Sequence, residues 1–151
     1  MLLVRLFLLS FPLLWIILPD PLWAEERIAV IVSPSVIDTV NSEELARMYQ
    51  RKQRFWKNGT PIIPVNLSVE HPLRRSFSRL VLGAVPEDLV AYWNEQYFHG
   101  IAPPYVLTSE AAILQFVATT PGAIGYVNAT AVNGDVHVLL HLSLAPTEKH
   151  P

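Results

Sequence analysis

The chain has 151 residues, a formal net charge of −2 and no cysteine. The lack of cysteine excludes disulfides, thiolate metal sites and cysteine nucleophiles. A net charge so close to zero gives no electrostatic reason to expect nucleic acid or an anionic membrane surface as a partner.

The first 24 residues have the pattern of a secretory signal. Arg5 lies near the start, an apolar run follows over residues 6–18, and the small residue Ala24 precedes a charged stretch. The apolar run is shorter than the ~20 residues that a membrane-spanning helix needs. We therefore predict a signal peptide over residues 1–24 and a single periplasmic or otherwise exported domain over residues 25–151. It would touch the membrane only through the signal, if that stays uncleaved.

The domain begins with a predicted strand and a predicted helix. Residues 28–32 form a continuous β-branched apolar run, which is typical of a strand buried on both faces, as in a parallel sheet. Asn41 followed by Glu44 predicts a capping box, and the helix should run from residue 42 to about residue 51.

A basic stretch over residues 51–57 contains two aromatic residues, Phe55 and Trp56. Such a mixture superficially resembles a nucleic-acid-binding segment, but the export signal argues against that function. We expect solvated charges around two buried aromatic side chains.

A second strand is predicted over residues 62–66, with Pro64 placing it at an edge or near a strand end. Pro72 then suits the first position of a helix, which Gly83 can close. The predicted buried stripe of this helix comprises Leu73, Phe77, Leu80, Val81 and Ala84. The opposite face is predicted to carry Arg74, Arg75, Ser78 and Arg79.

The rest of the domain continues the alternation of helices and strands. A helix opened by Pro86 should bury Leu89, Val90, Trp93 and Tyr97, and residues 100–104 read as a loop. Thr108 or Ser109 should cap a further helix. Pro121 and Gly122 should end it, since Gly122 can take the left-handed conformation that ends a helix. Strands are predicted over residues 123–127 and 136–140. This spacing predicts an α/β sheet flanked by helices.

Neither metal binding nor catalysis is indicated. His137 and His141 would share one face of a strand, but metal ligation needs three or four converging ligands. No nucleophile elbow or acid–base pair is visible, and the acidic residues lie mostly at helix starts, where capping explains them. We expect no metal, no cofactor and no enzymatic activity.

The junction between the second strand and the helix at Pro72 is the candidate binding site. Free amides at a helix start attract anions. Ser68 and His71 can donate side-chain hydrogen bonds there, and Arg74 and Arg75 lie one turn further. A protonated His71 would favour an anion, so affinity should rise below about pH 6.5. The alternative is an ordinary turn with a polar helix face.

Several segments together resemble the phosphate-type periplasmic substrate-binding proteins of ABC transporters. Residues 42–49 and 56–60 resemble a helix followed by a tryptophan–glycine stretch, and residues 62–77 resemble the second strand, phosphate loop and helix. Trp93 fits the same order, and residues 120–127, Thr-Pro-Gly-Ala-Ile-Gly-Tyr-Val, resemble a late motif of that family. The resemblance implies a single lobe of a periplasmic-binding-protein-like (type II) fold with a mixed sheet.

Two departures from that family bear on function. Its members close two lobes around the anion, whereas residues 25–151 match only one. The family's phosphate loop resembles Arg-x-x-x-Ser-Gly-Thr, whereas the arginine position holds Leu67 and the last three positions hold His71, Pro72 and Leu73. Ser68, His71, Arg74 and Arg75 remain as the candidate ligand-binding residues.

Two functions follow from this comparison. The first is binding of phosphate or another small oxyanion by an exported domain associated with an ABC transporter, with a permease or a second protein lobe as its partner. The second is a protein-interaction or self-association module that kept the lobe but lost anion binding. Neither hypothesis involves nucleic acid.

Overall fold

The computed structural model describes residues 27–144. The predicted signal peptide, residues 1–24, and the polar tail that begins at residue 145 lie outside the described residues. No helix among residues 27–144 is long and apolar enough to span a membrane.

Five strands and four α-helices form the described domain. The strands are β1 (Arg27–Val32), β2 (Ile63–Leu67), β3 (Tyr105–Leu107), β4 (Ala123–Asn128) and β5 (His137–Ser143). The helices are α1 (Ser42–Tyr49), α2 (Pro72–Leu82), α3 (Val90–Phe98) and α4 (Glu110–Thr119), with short 3₁₀ turns at Pro86–Leu89 and Ala129–Ala131.

The strands form one mixed sheet in the order β3-β2-β4-β1-β5. Strand β2 is parallel to β3 and to β4, whereas β1 is antiparallel to both of its neighbours, β4 and β5. The predicted burial of β1 is correct, since Ile28 to Val32 are fully buried. Its predicted parallel setting is wrong, because an apolar run reports burial on both faces and carries no information on strand direction.

Strand β2 is an interior strand, and Pro64 is its second residue. Of the two positions predicted from this proline, an edge strand or a strand end, the second is therefore confirmed. Pro64 pairs with Ile124 of β4, and the pairing with β3 begins only one residue later, at Val65. The missing amide of proline therefore interrupts no bond to β3. Strand β3 itself was not predicted, because three residues are too short to show a period.

Helices cover both faces of the sheet. Gly125 faces α4, where an added Cβ would lie 2.7 Å from Ile113 Cγ2 and 3.1 Å from Val117 Cγ2. Its neighbour Tyr126 therefore faces the opposite side, and there it stacks on Phe77 of α2 with ring centroids 3.8 Å apart. Tyr49 of α1 meets Phe77 edge-on at 4.7 Å. This aromatic cluster fixes α1 and α2 on the face opposite α4.

The buried faces of α2 and α3 differ from the predicted apolar stripes. In α2 the buried side chains are Leu73, Arg74, Phe77 and Ser78, whereas Leu80 is 45% exposed. The helix is thus rotated by about one position, so that a charged residue enters the interior in place of a leucine. Helix α3 buries no residue, although its sequence predicted an inward stripe that included Val90 and Tyr97.

The segment between α1 and β2 also departs in part from prediction. The capping box is confirmed, since Asn41 Oδ1 accepts the Glu44 amide at 2.9 Å, but α1 ends at Tyr49 rather than near residue 51. Trp56 is buried and donates its Nε1–H to the Gly122 carbonyl at 2.9 Å. Phe55, which was expected to be buried beside it, is 56% exposed.

Candidate functional site

The candidate site is the junction at which β2 ends and α2 begins. Its main-chain donors are partly used within the protein. The His71 amide donates to the Ser68 carbonyl at 3.1 Å, and the Leu73 amide donates to His71 Nδ1 at 3.2 Å. Within the part of the chain that the structure describes, the amides of Val69 and Glu70 find no acceptor. Two free loop amides therefore remain for an anion.

His71 is the N-cap of α2. Its Nδ1 accepts a hydrogen bond, so in the neutral ring the proton belongs on Nε2, an assignment that rests on this geometry. Nε2–H remains available as a donor. Protonation of Nδ1 would break the cap, because two donors would then face each other. The expected gain in anion affinity at low pH is therefore opposed by loss of the helix cap.

Arg74 is the central charge of the junction. Its side chain lies on the buried face of α2, and the residue is only 8% exposed. Its Nε is buried without a hydrogen-bond partner, and within residues 27–144 its guanidinium forms no ion pair. A buried cation without a carboxylate is costly, so this side chain is well suited to a negatively charged ligand.

Two tyrosine hydroxyls lie in the electrostatic field of Arg74. Burial raises the pKa of Tyr126 to about 12, and the Arg74 charge opposes that rise. Burial likewise raises the pKa of Tyr49, the nearby Tyr126 adds to the rise, and Arg74 again opposes it. The guanidinium is thus close to the aromatic cluster that supports α2, and both phenols are neutral at physiological pH.

Tyr126, which lies in the field of Arg74, is also hydrogen-bonded to the end of β2. Its hydroxyl accepts the Leu67 amide at 3.2 Å and donates to Asn66 Oδ1 at 3.2 Å. This fixes the orientation of the Asn66 side-chain amide, whose Nδ2 makes no hydrogen bond to any described residue. Sequence reasoning did not assign Asn66 to the site. The available signal was a polar residue within a buried strand immediately before the loop.

The other two predicted site residues, Arg75 and Ser68, differ in whether they already have a partner within the described chain. The Arg75 guanidinium pairs with Glu87 at the following 3₁₀ turn. The pKa of Glu87 is lowered, first by a hydrogen bond to its own backbone and then by Arg75. Arg75 would have to leave this partner to bind a ligand. Ser68 is half-buried, and its hydroxyl makes no hydrogen bond within the described chain.

The free polar groups of the junction are therefore donors. They comprise the Arg74 guanidinium, the Asn66 side-chain amide, the His71 Nε2–H, the Ser68 hydroxyl and the amides of Val69 and Glu70. A set of N–H and O–H donors that includes one positive charge is suited to an oxyanion. A search of residues 27–144 finds no three His, Asp or Glu side chains that could hold a metal ion.

A separate groove of about 670 Å³ lies between α4 and the loops at Pro34 and Asn133. It shares no residue with the junction at α2. Its lining includes the alanines and leucine on the outer side of α4, and Asp135 is its one charged residue. It offers no positive charge for an anion.

Solved structures of phosphate-binding proteins share this fold. A phosphate ABC-transport receptor from Vibrio cholerae matches with a TM-score of 0.61 at 19% identity, covering 76% of this chain and 45% of the receptor. A phosphate ABC transporter substrate-binding protein with bound phosphate from Clostridium perfringens gives 0.60 and 21%, with 76% and 44% coverage. PstS from Borrelia burgdorferi gives 0.54 and 19%, with 69% and 41% coverage.

The similarity lies in structure. No protein-family model matches the sequence, and no curated protein sequence matches it significantly. The chain spans less than half the length of the structures that it matches. The resemblance predicted from residues 42–127 is confirmed at the level of fold: the domain has the architecture of one lobe of the phosphate substrate-binding proteins of ABC transporters.

Proposed function

We propose that this protein is an exported domain that binds a small oxyanion at the start of α2. The observation that carries the proposal is Arg74, a buried positive charge without an acidic partner among residues 27–144. Asn66, Ser68, His71 and the two free loop amides supply further donors. Arg75 is a reserve cation, since it is paired with Glu87.

Phosphate is the first oxyanion to test. The structural neighbours are a phosphate-transport receptor and phosphate substrate-binding proteins, and this chain carries a predicted export signal at residues 1–24. The proposal therefore includes association with an ABC transporter. The domain's partner would be a permease or a second protein lobe. Binding, rather than catalysis, is the proposed activity.

Calorimetry with phosphate and sulfate tests the proposal directly. Residues 25–151 are suitable for this experiment, because the whole buried core lies between Ile28 and Val136. We expect exothermic binding that Arg74→Gln abolishes. Arg79→Gln is the matched control, since Arg79 is exposed on the same helix and should leave affinity unchanged. No heat up to millimolar anion, or equal affinity in both variants, would reject the proposal.

A protein-interaction or self-association module is the second candidate function. It is favoured by a set of exposed apolar side chains on α3 and β3, namely Val90, Tyr97, Phe98, Tyr105 and Val106. Large exposed apolar patches mark interaction sites in soluble domains, and these five side chains lie on two elements that follow each other in the chain. Because the chain covers only part of its neighbours, a second copy or another protein could cover this surface.

Sedimentation of the same domain at micromolar concentration distinguishes the two candidates. Self-association should weaken in Phe98→Ser, since Phe98 is 87% exposed. Leu80→Ser, a change at an exposed leucine on α2, serves as the control. A monomer at all concentrations that also captures no partner would eliminate this second function without affecting anion binding.

A further inference from the structure

The last turn of α1 and the segment that follows it concentrate positive charge that neither function uses. We define the basic loop as residues 47–61, which carry five cations and no acid: Arg47, Arg51, Lys52, Arg54 and Lys57. No Asp or Glu occurs between residues 45 and 69, although the whole chain has a net charge of −2. The balance of the whole chain therefore hides a local basic surface.

Backbone hydrogen bonds hold the basic loop in one conformation. The amides of Lys52 and Gln53 both donate to the Arg47 carbonyl, at 2.8 and 3.2 Å. Further along, the Trp56 amide donates to the Thr60 carbonyl and the Ile62 amide to the Arg54 carbonyl, each at 2.9 Å. The loop presents its side chains from a fixed base and does not need to be ordered on binding.

Phe55 and Trp56 point in opposite directions from this base. Phe55 forms a β-bridge with Pro61, and in extended chain successive side chains face opposite sides. Trp56 is 4% exposed and bonded to Gly122, whereas Phe55 is 56% exposed. The buried tryptophan thus anchors a turn that holds a phenyl ring outward within the cation-rich segment.

Three cations of the basic loop are available to a partner. Arg47, Arg54 and Lys57 are exposed and make no ion pair within residues 27–144. Lys52 Nζ lies 5.9 Å from the ring centroid of Tyr92. Asp38 accepts a hydrogen bond from the loop, but its carboxylate takes the backbone amide of Lys57 at 3.0 Å rather than its ammonium group.

We propose that the basic loop is a docking surface for an anionic phospholipid bilayer. Exposed lysine and arginine side chains bind anionic headgroups, and an outward aromatic ring enters the interface between headgroups and acyl chains. One apolar side chain is too few for the core of a specific protein interface, and the groove beside α4 includes no residue of the basic loop. These features favour a lipid surface over an acidic protein.

The absence of cysteine allows a single fluorescent label on the full-length chain. Asn58→Cys places an environment-sensitive dye at the tip of the basic loop, and Asn133→Cys is the matched control. Both asparagines are exposed, and each accepts the amide two residues further on. The dye reports only on its own surroundings, so membrane contact by residues 1–24 would not change its emission. The probes are vesicles of phosphatidylcholine with increasing phosphatidylglycerol.

We expect a blue shift at position 58 that requires phosphatidylglycerol and disappears at high salt, with no shift at position 133. Arg54→Gln should require about fivefold more anionic lipid, and Phe55→Ser should reduce the shift. Arg79→Gln and Leu80→Ser, which alter exposed residues on α2, should change nothing.

Three results would overturn the proposal. They are no shift at position 58, an equal shift in pure phosphatidylcholine, and an equal shift at position 133. A shift caused by polyglutamate but not by vesicles would also reject the lipid and assign the loop to an acidic polypeptide. Because α2 is unchanged in the loop variants, anion binding should persist in them whichever result is found.

Discussion

Arg74 shows how one residue can serve binding at the expense of stability. Arg74 lies on the buried face of α2 and its Nε is buried without a hydrogen-bond partner, yet within the described chain no carboxylate compensates the charge. Replacing a buried charge with an apolar side chain of similar length often stabilises a protein. The same replacement removes the attraction for an anion, so the two effects should have opposite signs.

We predict that Arg74→Met raises the melting temperature of the ligand-free protein and abolishes any increase caused by phosphate or sulfate. Differential scanning calorimetry with and without anion measures both effects. Arg79→Met is the control, since this exposed arginine should alter neither quantity. A lower melting temperature in Arg74→Met would mean that the charge is compensated inside the protein.

The cap formed by His71 gives a second prediction at this scale. His71→Ala removes the acceptor for the Leu73 amide and should cost about 1 kcal/mol of unfolding free energy, as loss of an N-cap typically does. His71→Asn should restore most of that stability, because asparagine is a good N-cap. Urea denaturation of the three proteins provides the measurement. Equal stability of the alanine and asparagine variants would show that the cap contributes nothing.

The buried tyrosines predict a loss of stability in alkali. Burial raises the pKa of Tyr126 to about 12, against about 10 for an unfolded tyrosine. The folded state keeps its proton when the unfolded state has lost it, so this contribution is full below about pH 10 and lost towards pH 12. For Tyr126 the loss is on the order of 2–3 kcal/mol.

Urea midpoints between pH 9 and 12 should therefore fall, and part of the tyrosinate absorbance should appear only as the fold is lost. Tyr126→Phe should show a shallower fall, because it has one fewer buried group to ionise. Its stability at neutral pH is a separate matter, since the phenylalanine also gives up two hydrogen bonds. An unchanged slope in Tyr126→Phe would contradict the prediction.

Among the secondary-structure elements, α2 is the one that sequence signals locate best. Pro72 begins it, Gly83 ends it with a positive φ of 69°, and both were predicted from backbone preferences alone. The side that it buries was predicted wrongly. Two neighbouring faces of the helix are similarly apolar, so the side chains on the sheet decide which face is buried. Here Phe77 packs against Tyr126 and Tyr49, and Arg74 therefore lies on the buried side of the helix.

The turn after α4 is equally well located, and it connects distant segments. Gly122 has a φ of 77°, and its carbonyl accepts both Trp56 Nε1–H and the Ile63 amide, at 2.9 and 3.1 Å. An added Cβ would lie 2.2 Å from the Pro61 carbonyl oxygen. Sequence reasoning predicted the left-handed turn but not this contact, because residues 61 and 122 meet only in the folded sheet.

We predict that Gly122→Ala lowers the unfolding free energy by about 3 kcal/mol, through backbone strain and the clash with Pro61. Gly134→Ala is the matched control, since no atom lies within 4 Å of its added Cβ. It should change stability by less than about 0.5 kcal/mol. Urea denaturation checks both values, and a small effect at Gly122 would mean that the β2–β4 connection is easily displaced.

The described domain combines a buried core with surfaces that expose apolar side chains or unpaired charges. The sheet is covered on both faces, but α3 has no buried residue, β3 exposes Tyr105 and Val106, and the basic loop carries unpaired charge. The matched structures are more than twice as long as the part of them that this chain covers. These surfaces are accordingly the places to look for the partners of a single lobe.

The sequence by itself determined the structural features that depend on residues close together along the chain. These include the capping box at Asn41, the ends of α2, the burial of β1 and the left-handed turn at Gly122. Tertiary structure decided the direction of β1, the inward face of α2, the outward position of Phe55 and the proximity of Arg74 to Tyr126. The first group of features follows from local dihedral preferences and from the periodicity of apolar residues. The second group depends on contacts between residues far apart in the sequence, for which the sequence holds no local signal.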